Sequence, residues 1–114
     1  MEPVPPRWRS AIGAEDAIAR VAEPGKNVQV QYVGISFKNG RQFDASWDRG
    51  EPFTFELGAG QVIPGWDNGI VGMREGGRRE LVIPPDQAYG AAGSPPAIGP
   101  NETLIFVVDL EKIG

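Results

Sequence analysis

The chain has 114 residues, 40% of them hydrophobic and 23% charged, and a net charge of −4. That length supports one globular domain around a single core, and arginine and lysine scattered among carboxylates offer no basic face to a nucleic-acid backbone. Cysteine and histidine are both absent, which removes disulfides, thiol nucleophiles, imidazole bases and nearly every common zinc arrangement, so no metal and no other cofactor is expected.

Residues 1–16 carry Pro3, Pro5 and Pro6 beside charged side chains, without periodicity and without an unbroken apolar run. They predict a flexible arm ahead of a domain over 17–114, with no secretory signal, no membrane span and, by default, a cytoplasmic location. From Val28 the apolar positions alternate as Val28, Val30 and Tyr32, then shift phase around Gly34 to Val33, Ile35 and Phe37, the pattern of a bulged strand. Asn39-Gly40 predicts a hairpin turn, because both residue types tolerate positive φ, and Arg41 to Asp44 should return antiparallel with Phe43 on the apolar side.

Further strands follow from Phe53, Phe55 and Leu57, from Leu81 and Ile83, and from Leu104, Phe106, Val108 and Leu110, each set alternating with its neighbours. Only one segment suits a helix: Ile63, Trp66, Ile70 and Met73 fall three or four apart, with Pro64 at a first-turn position. Gly65, Gly69 and Gly72 each weaken that helix by roughly 1 kcal/mol relative to alanine, so packing against the sheet must hold it. The Gly-, Pro- and Ala-rich stretch from Gln87 to Asn101 has neither period and should be a functional surface loop. The economical reading is one α+β domain built on an antiparallel sheet with one buried face.

Three short signals give way to blander readings. Gly58-Ala59-Gly60 lacks the third glycine and the parallel strand–helix–strand context of a dinucleotide loop. The carboxylates of Asp44, Asp48, Glu51 and Glu56 could pair as in a glycosidase, but Glu56 falls on a polar strand face and 48–51 reads as turn. Arg78-Arg79, flanked by Glu75 and Glu80, reads as an exposed turn rather than a phosphate clamp. By periodicity alone, Trp66 is core.

Longer blocks change that view. Val62-Ile63-Pro64-Gly65-Trp66 with Gly69 and Gly72-Met73 resembles the helix motif of the FKBP-type peptidyl-prolyl cis-trans isomerases. The resemblance continues through Tyr32-Val33-Gly34, Phe43-Asp44-Ala45-Ser46, Pro52-Phe53-Thr54-Phe55, Pro85-Asp86-Gln87-Ala88-Tyr89-Gly90 and Thr103-Leu104-Ile105-Phe106, in the family's order and spacing, and covers Val28 to Lys112. It implies a curved antiparallel sheet of about five strands wrapped around one short helix. It also implies rotation of Xaa-Pro peptide bonds in protein folding, by a monomer that binds proline-containing polypeptides, with rapamycin or tacrolimus as further ligands.

The resemblance assigns catalytic positions to Tyr32, Phe43, Asp44, Trp66, Tyr89 and Phe106. Substrate or ligand contact falls to Arg49, Phe53, Gln61, Val62, Ile63, Ser94, Ala97 and Ile98. Trp66 becomes the floor of an apolar pocket, the Ile63 N–H and the Tyr89 hydroxyl hold substrate carbonyls, and the rings of Tyr32, Phe43 and Phe106 surround the twisting carbonyl. Asp44 belongs to that pocket, to an ion pair with Arg49, or to both at once. The loop Ser94 to Ile98 departs from the family pattern, since Ala97 stands where many relatives carry a bulkier side chain. A proline-segment or macrolide-binding module with weak or no catalysis is the competing expectation, separated from the first by peptide binding without turnover.

Overall fold

The computed structural model of the protein describes residues 20–114, so the expected arm over 1–16 lies outside it. Five strands form one sheet: β1 (Asn27–Ser36), β2 (Gln42–Ala45), β3 (Phe53–Glu56), β4 (Arg78–Ile83) and β5 (Leu104–Ile113). All pairings are antiparallel, in the order β2-β1-β5-β4, with β3 also on β1.

β1 organises the sheet because both of its edges are used. β5 pairs with it from Val28 to Ser36. The opposite edge is shared end to end, with β3 against Asn27 to Val30 and β2 against Val33 to Ile35. Between those two partners the chain leaves the sheet as a one-turn helix, α1 (Ser46–Arg49), closed by Gly50 at φ 74°. A segment this short has no helical periodicity to detect, and 48–51 was expected only as a turn.

The expected bulge appears as a register shift between Gly34 and Ile35 against β2. The expected change of face does not. Burial continues on the phase of Val28, Val30 and Tyr32 through Gly34 and Ser36, while Phe37 is 62% exposed. Gly34 lies under two aromatic rings and Ser36 donates its hydroxyl to Glu102, so small and polar residues hold inward positions that apolar patterning cannot reveal. The hairpin turn is also longer than a two-residue one: Phe37 to Arg41 connect the strands, and Gly40 alone of the Asn39-Gly40 pair takes positive φ. Asn39 instead accepts the Arg41 N–H on its side-chain oxygen.

The second helix, α2 (Pro64–Gly69), starts on proline as expected and stops early. Gly72 at φ 89° and the buried Met73 therefore lie beyond it, and only Gly65 and Gly69 weaken it. Gly65 is required by packing, because a Cβ there would come within 2.5 Å of the Ile83 side chain. That close approach presses α2 onto the sheet and sets Trp66 among Tyr32, Phe55, Phe106, Leu81 and Val108 in one core cluster.

Arg78 and Arg79 prove to be strand residues and not a turn. Arg78 makes a two-pronged contact with Asp109 on the paired strand β5, and Arg79 donates to the carbonyls of Gly69 and Val71. Cross-strand pairing thus supplies a partner that local sequence, with Glu75 and Glu80 alongside, does not indicate. Among the described residues, no helix is long and apolar enough to cross a membrane.

Candidate active site

The split edge of β1 opens the site. Among the described residues, no strand pairs with Gln31 and Tyr32 on this edge, and Ser46 at the start of α1 substitutes for one. Its buried hydroxyl accepts the Tyr32 backbone N–H at 2.7 Å and donates to Gln31 Oε1 at 2.6 Å. The Tyr32 backbone is thereby held where a strand would otherwise have paired, and the excursion from Ala45 to Pro52 carries Asp44 and Arg49 to the rim.

The Tyr32 hydroxyl donates to Asp44 Oδ2 at 2.6 Å and accepts from Arg49 at 2.7 Å, while Arg49 also bridges to Asp44 Oδ1 at 2.6 Å. Burial, followed by the hydrogen bond to Asp44, pushes the Tyr32 hydroxyl above its ordinary pKa, so it stays a proton donor at neutral pH. Burial opposes ionisation of Asp44, yet the hydrogen bonds from Tyr32 and Arg49 outweigh it and hold the carboxyl below its usual range. Asp44 is thus paired with Arg49 and also faces an apolar hollow.

These shifts set a pH dependence. A depressed carboxyl stabilises the fold above its unfolded pKa of about 3.9, and that contribution disappears as pH falls through the lower folded value. No histidine titrates near neutrality, and the Tyr32 and Tyr89 hydroxyls are both raised. The pH profile of kcat/KM is therefore expected to be flat between about pH 5 and 9, with loss only in stronger acid. A step near pH 6 or 7 in that profile would contradict the network.

Trp66 is 4% exposed and forms the floor. Ring centroids of Tyr32, Phe106, Phe55 and Phe53 lie 4.9, 5.2, 5.7 and 6.1 Å from its own. Phe43 meets Phe106 edge-on at 5.5 Å. Gly34 makes that meeting possible, because a Cβ there would fall 2.8 Å from both rings. The approach to α2 is pinned by Asp67, whose carboxylate accepts the N–H groups of Gly58 and Gly60. Among the described residues, the Ile63 N–H at the start of α2 donates to no backbone carbonyl.

Tyr32, Phe43, Asp44, Phe53, Gln61, Val62, Ile63, Trp66, Tyr89 and Phe106 line one hollow of about 190 Å³. Tyr89 is 41% exposed at the mouth, its hydroxyl kept protonated by burial and by the nearby Asp44 charge. Four of the positions named from the sequence lie off this wall. Arg49 does not line the hollow but donates to both Asp44 and the Tyr32 hydroxyl, which do. Ile98 is a core residue, 5% exposed, because Ser94 and Ile98 exchange two backbone hydrogen bonds that turn the loop tip inward at that position. Ser94 is exposed, and Ala97 lines a neighbouring hollow. Ser46, Gly34 and Asp67 also shape the site; the motif blocks contain Gly34 and Ser46 and flank Asp67, but the spacing gave none of them these roles, which depend on contacts distant in sequence.

Residues 19–111 match the family model described as FKBP-type peptidyl-prolyl cis-trans isomerase. The chain belongs to this family. An FK506-binding protein of Streptomyces anulatus is 59% identical over 94 residues, covering 82% of this chain and 76% of the relative. A peptidyl-prolyl cis-trans isomerase of Saccharomyces cerevisiae is 46% identical over 102 residues, covering 90% and 75%. The crystal structure of AtFKBP13 superposes with a TM-score of 0.78 at 37% identity, over 84% of this chain and 85% of the other. The protein is thus an FKBP-type peptidyl-prolyl cis-trans isomerase with the five-stranded FKBP fold.

Proposed function

We propose that the FKBP hollow takes a prolyl ring onto Trp66 and lowers the barrier to rotation of the preceding amide without a covalent step. The observation carrying this reading is the convergence of Tyr32, Phe43 and Phe106 around one space above Trp66, next to a fixed Asp44. A planar prolyl amide owes its barrier of ~18–20 kcal/mol to resonance. As it twists, nitrogen recovers its lone pair and the carbonyl becomes less dipolar. A dry, aromatic wall disfavours the planar form relative to the twisted one. A reduction of ~4 kcal/mol corresponds to about a thousandfold acceleration.

In this reading the ring edges of Tyr32, Phe43 and Phe106 surround the carbonyl of the residue before proline and hold it in place as the amide twists. The Ile63 N–H and the Tyr89 hydroxyl hold flanking carbonyls, which are positioning contacts. Asp44, with its charge already matched by Arg49, orients Tyr32 and contributes a polar rim.

FK506- or rapamycin-class macrolides are proposed to compete for the same space, supported by the name of the Streptomyces relative. One assay tests the whole reading. Phe43→Ala removes a half-buried ring from the rim and is expected to lower kcat/KM on Xaa-Pro peptides about tenfold, with a stability loss of about 1–2 kcal/mol. FK506 should inhibit the unmodified protein in the same assay. Peptide binding without acceleration would instead favour a non-catalytic binding module, and full activity in Phe43→Ala would remove the ring from the site.

A further inference from the structure

A second hollow of about 200 Å³ lies beside the first and shares Phe43 with it. Its remaining wall comes from the β1–β2 hairpin (Ser36, Asn39, Arg41, Gln42) and from the loop before β5 (Pro96, Ala97, Glu102). The two spaces differ in chemistry, the first being aromatic and the second polar. Ala97 matters here because its single methyl leaves the second space open toward the loop tip.

The carboxylate of Glu102 is the fixed charge in this hollow. Ser36 donates to its Oε1 at 2.6 Å and the Gly99 N–H to its Oε2 at 2.6 Å. Both donors are neutral, so they orient the carboxylate without cancelling its charge, and together with the nearby Lys38 charge they favour its ionised form. Arg41 lines the same space and Lys38 lies near enough for its charge to act on Glu102, but both are exposed side chains that have to be ordered before they can bind anything. The carboxylate carries no such ordering penalty, and it therefore dominates selection.

We propose that the hollow behind Phe43 is a subsite for the side chain preceding proline, and that Glu102 selects a long cationic residue there. The inference rests on the orientation given under the proposed function. The carbonyl beside Phe43 belongs to the residue before proline, so that residue's side chain departs next to the ring common to both hollows. A lysine or arginine stem can cross Phe43 with its methylenes on the ring and place its charged end at Glu102.

The test compares kcat/KM for peptides that differ only in the residue before proline: lysine, its uncharged isostere norleucine, and glutamate. The lysine peptide is expected to exceed the norleucine peptide about three- to fivefold at low salt, the range of a partly solvated ion pair. The ratio should fall toward one in Glu102→Gln, and also in the unmodified protein at about 0.5 M salt, where screening is strong. The salt series keeps the test decisive if the variant folds poorly. A ratio near one at low salt, a ratio insensitive to both changes, or a preference for glutamate overturns the subsite while leaving isomerisation intact. If even the norleucine peptide is not accelerated, the proposed function fails and the subsite with it.

Discussion

Trp66→Ala is expected to lower the free energy of unfolding by about 3–5 kcal/mol, the range for truncating a buried aromatic. Trp66 is 4% exposed and touches four other rings, so its removal leaves a void that those rigid neighbours cannot close. It is also the main anchor of α2, a helix of six residues that begins on proline and contains Gly65 and Gly69. Such a helix has no independent stability and forms only because it is pressed against the sheet. A domain of this size has about 5–15 kcal/mol in total, so the variant should be marginal. Urea denaturation, or a melting temperature lowered by more than about 10 °C, would register the change. A shift of only one or two degrees would show that Trp66 is not the keystone of the core.

Gly34→Ala is expected to do the opposite kind of damage, lowering kcat/KM about ten- to hundredfold while destabilising the fold by about 1–3 kcal/mol. Gly34 has no special φ, and alanine is a better strand residue, so local backbone preference predicts little or even a gain. The added Cβ, however, would fall 2.8 Å from Phe106 and 2.8 Å from Phe43. Both rings line the hollow, and both have to move to accept a methyl group. The measurement is kcat/KM at a temperature where denaturation curves show the variant fully folded. Unchanged activity alongside reduced stability would mean that the positions of these two rings do not govern the rate.

Gly34 also illustrates where the sequence stops being informative. It marked the bulge in β1 correctly, because a glycine interrupting an alternating run is a local signal. Its second role, making space between Phe43 and Phe106, depends on a partner strand and on a residue 72 positions away, counted from Gly34 to Phe106. The same division applies to Arg78, whose nearest acids in sequence are not its partner; the β4–β5 register delivers Asp109 instead.

The strands, the placement of Pro64 at the head of a short helix and, through ordered motif blocks, the isomerase family were all legible along the chain. Alternation and turn chemistry act over a few residues, and a family pattern spread along most of the chain is specific even when each block is short. Which of those residues share a wall is set by the folded arrangement. It turned Ile98 into core, bonded Arg49 to both Asp44 and Tyr32, put Ala97 at a second hollow and gave Ser46 the task of a missing strand. Trp66 is both core and floor for the same reason: burial on one side and an opening on the other are set by how β1, β5 and α2 close around it, and no spacing along the chain records that closure.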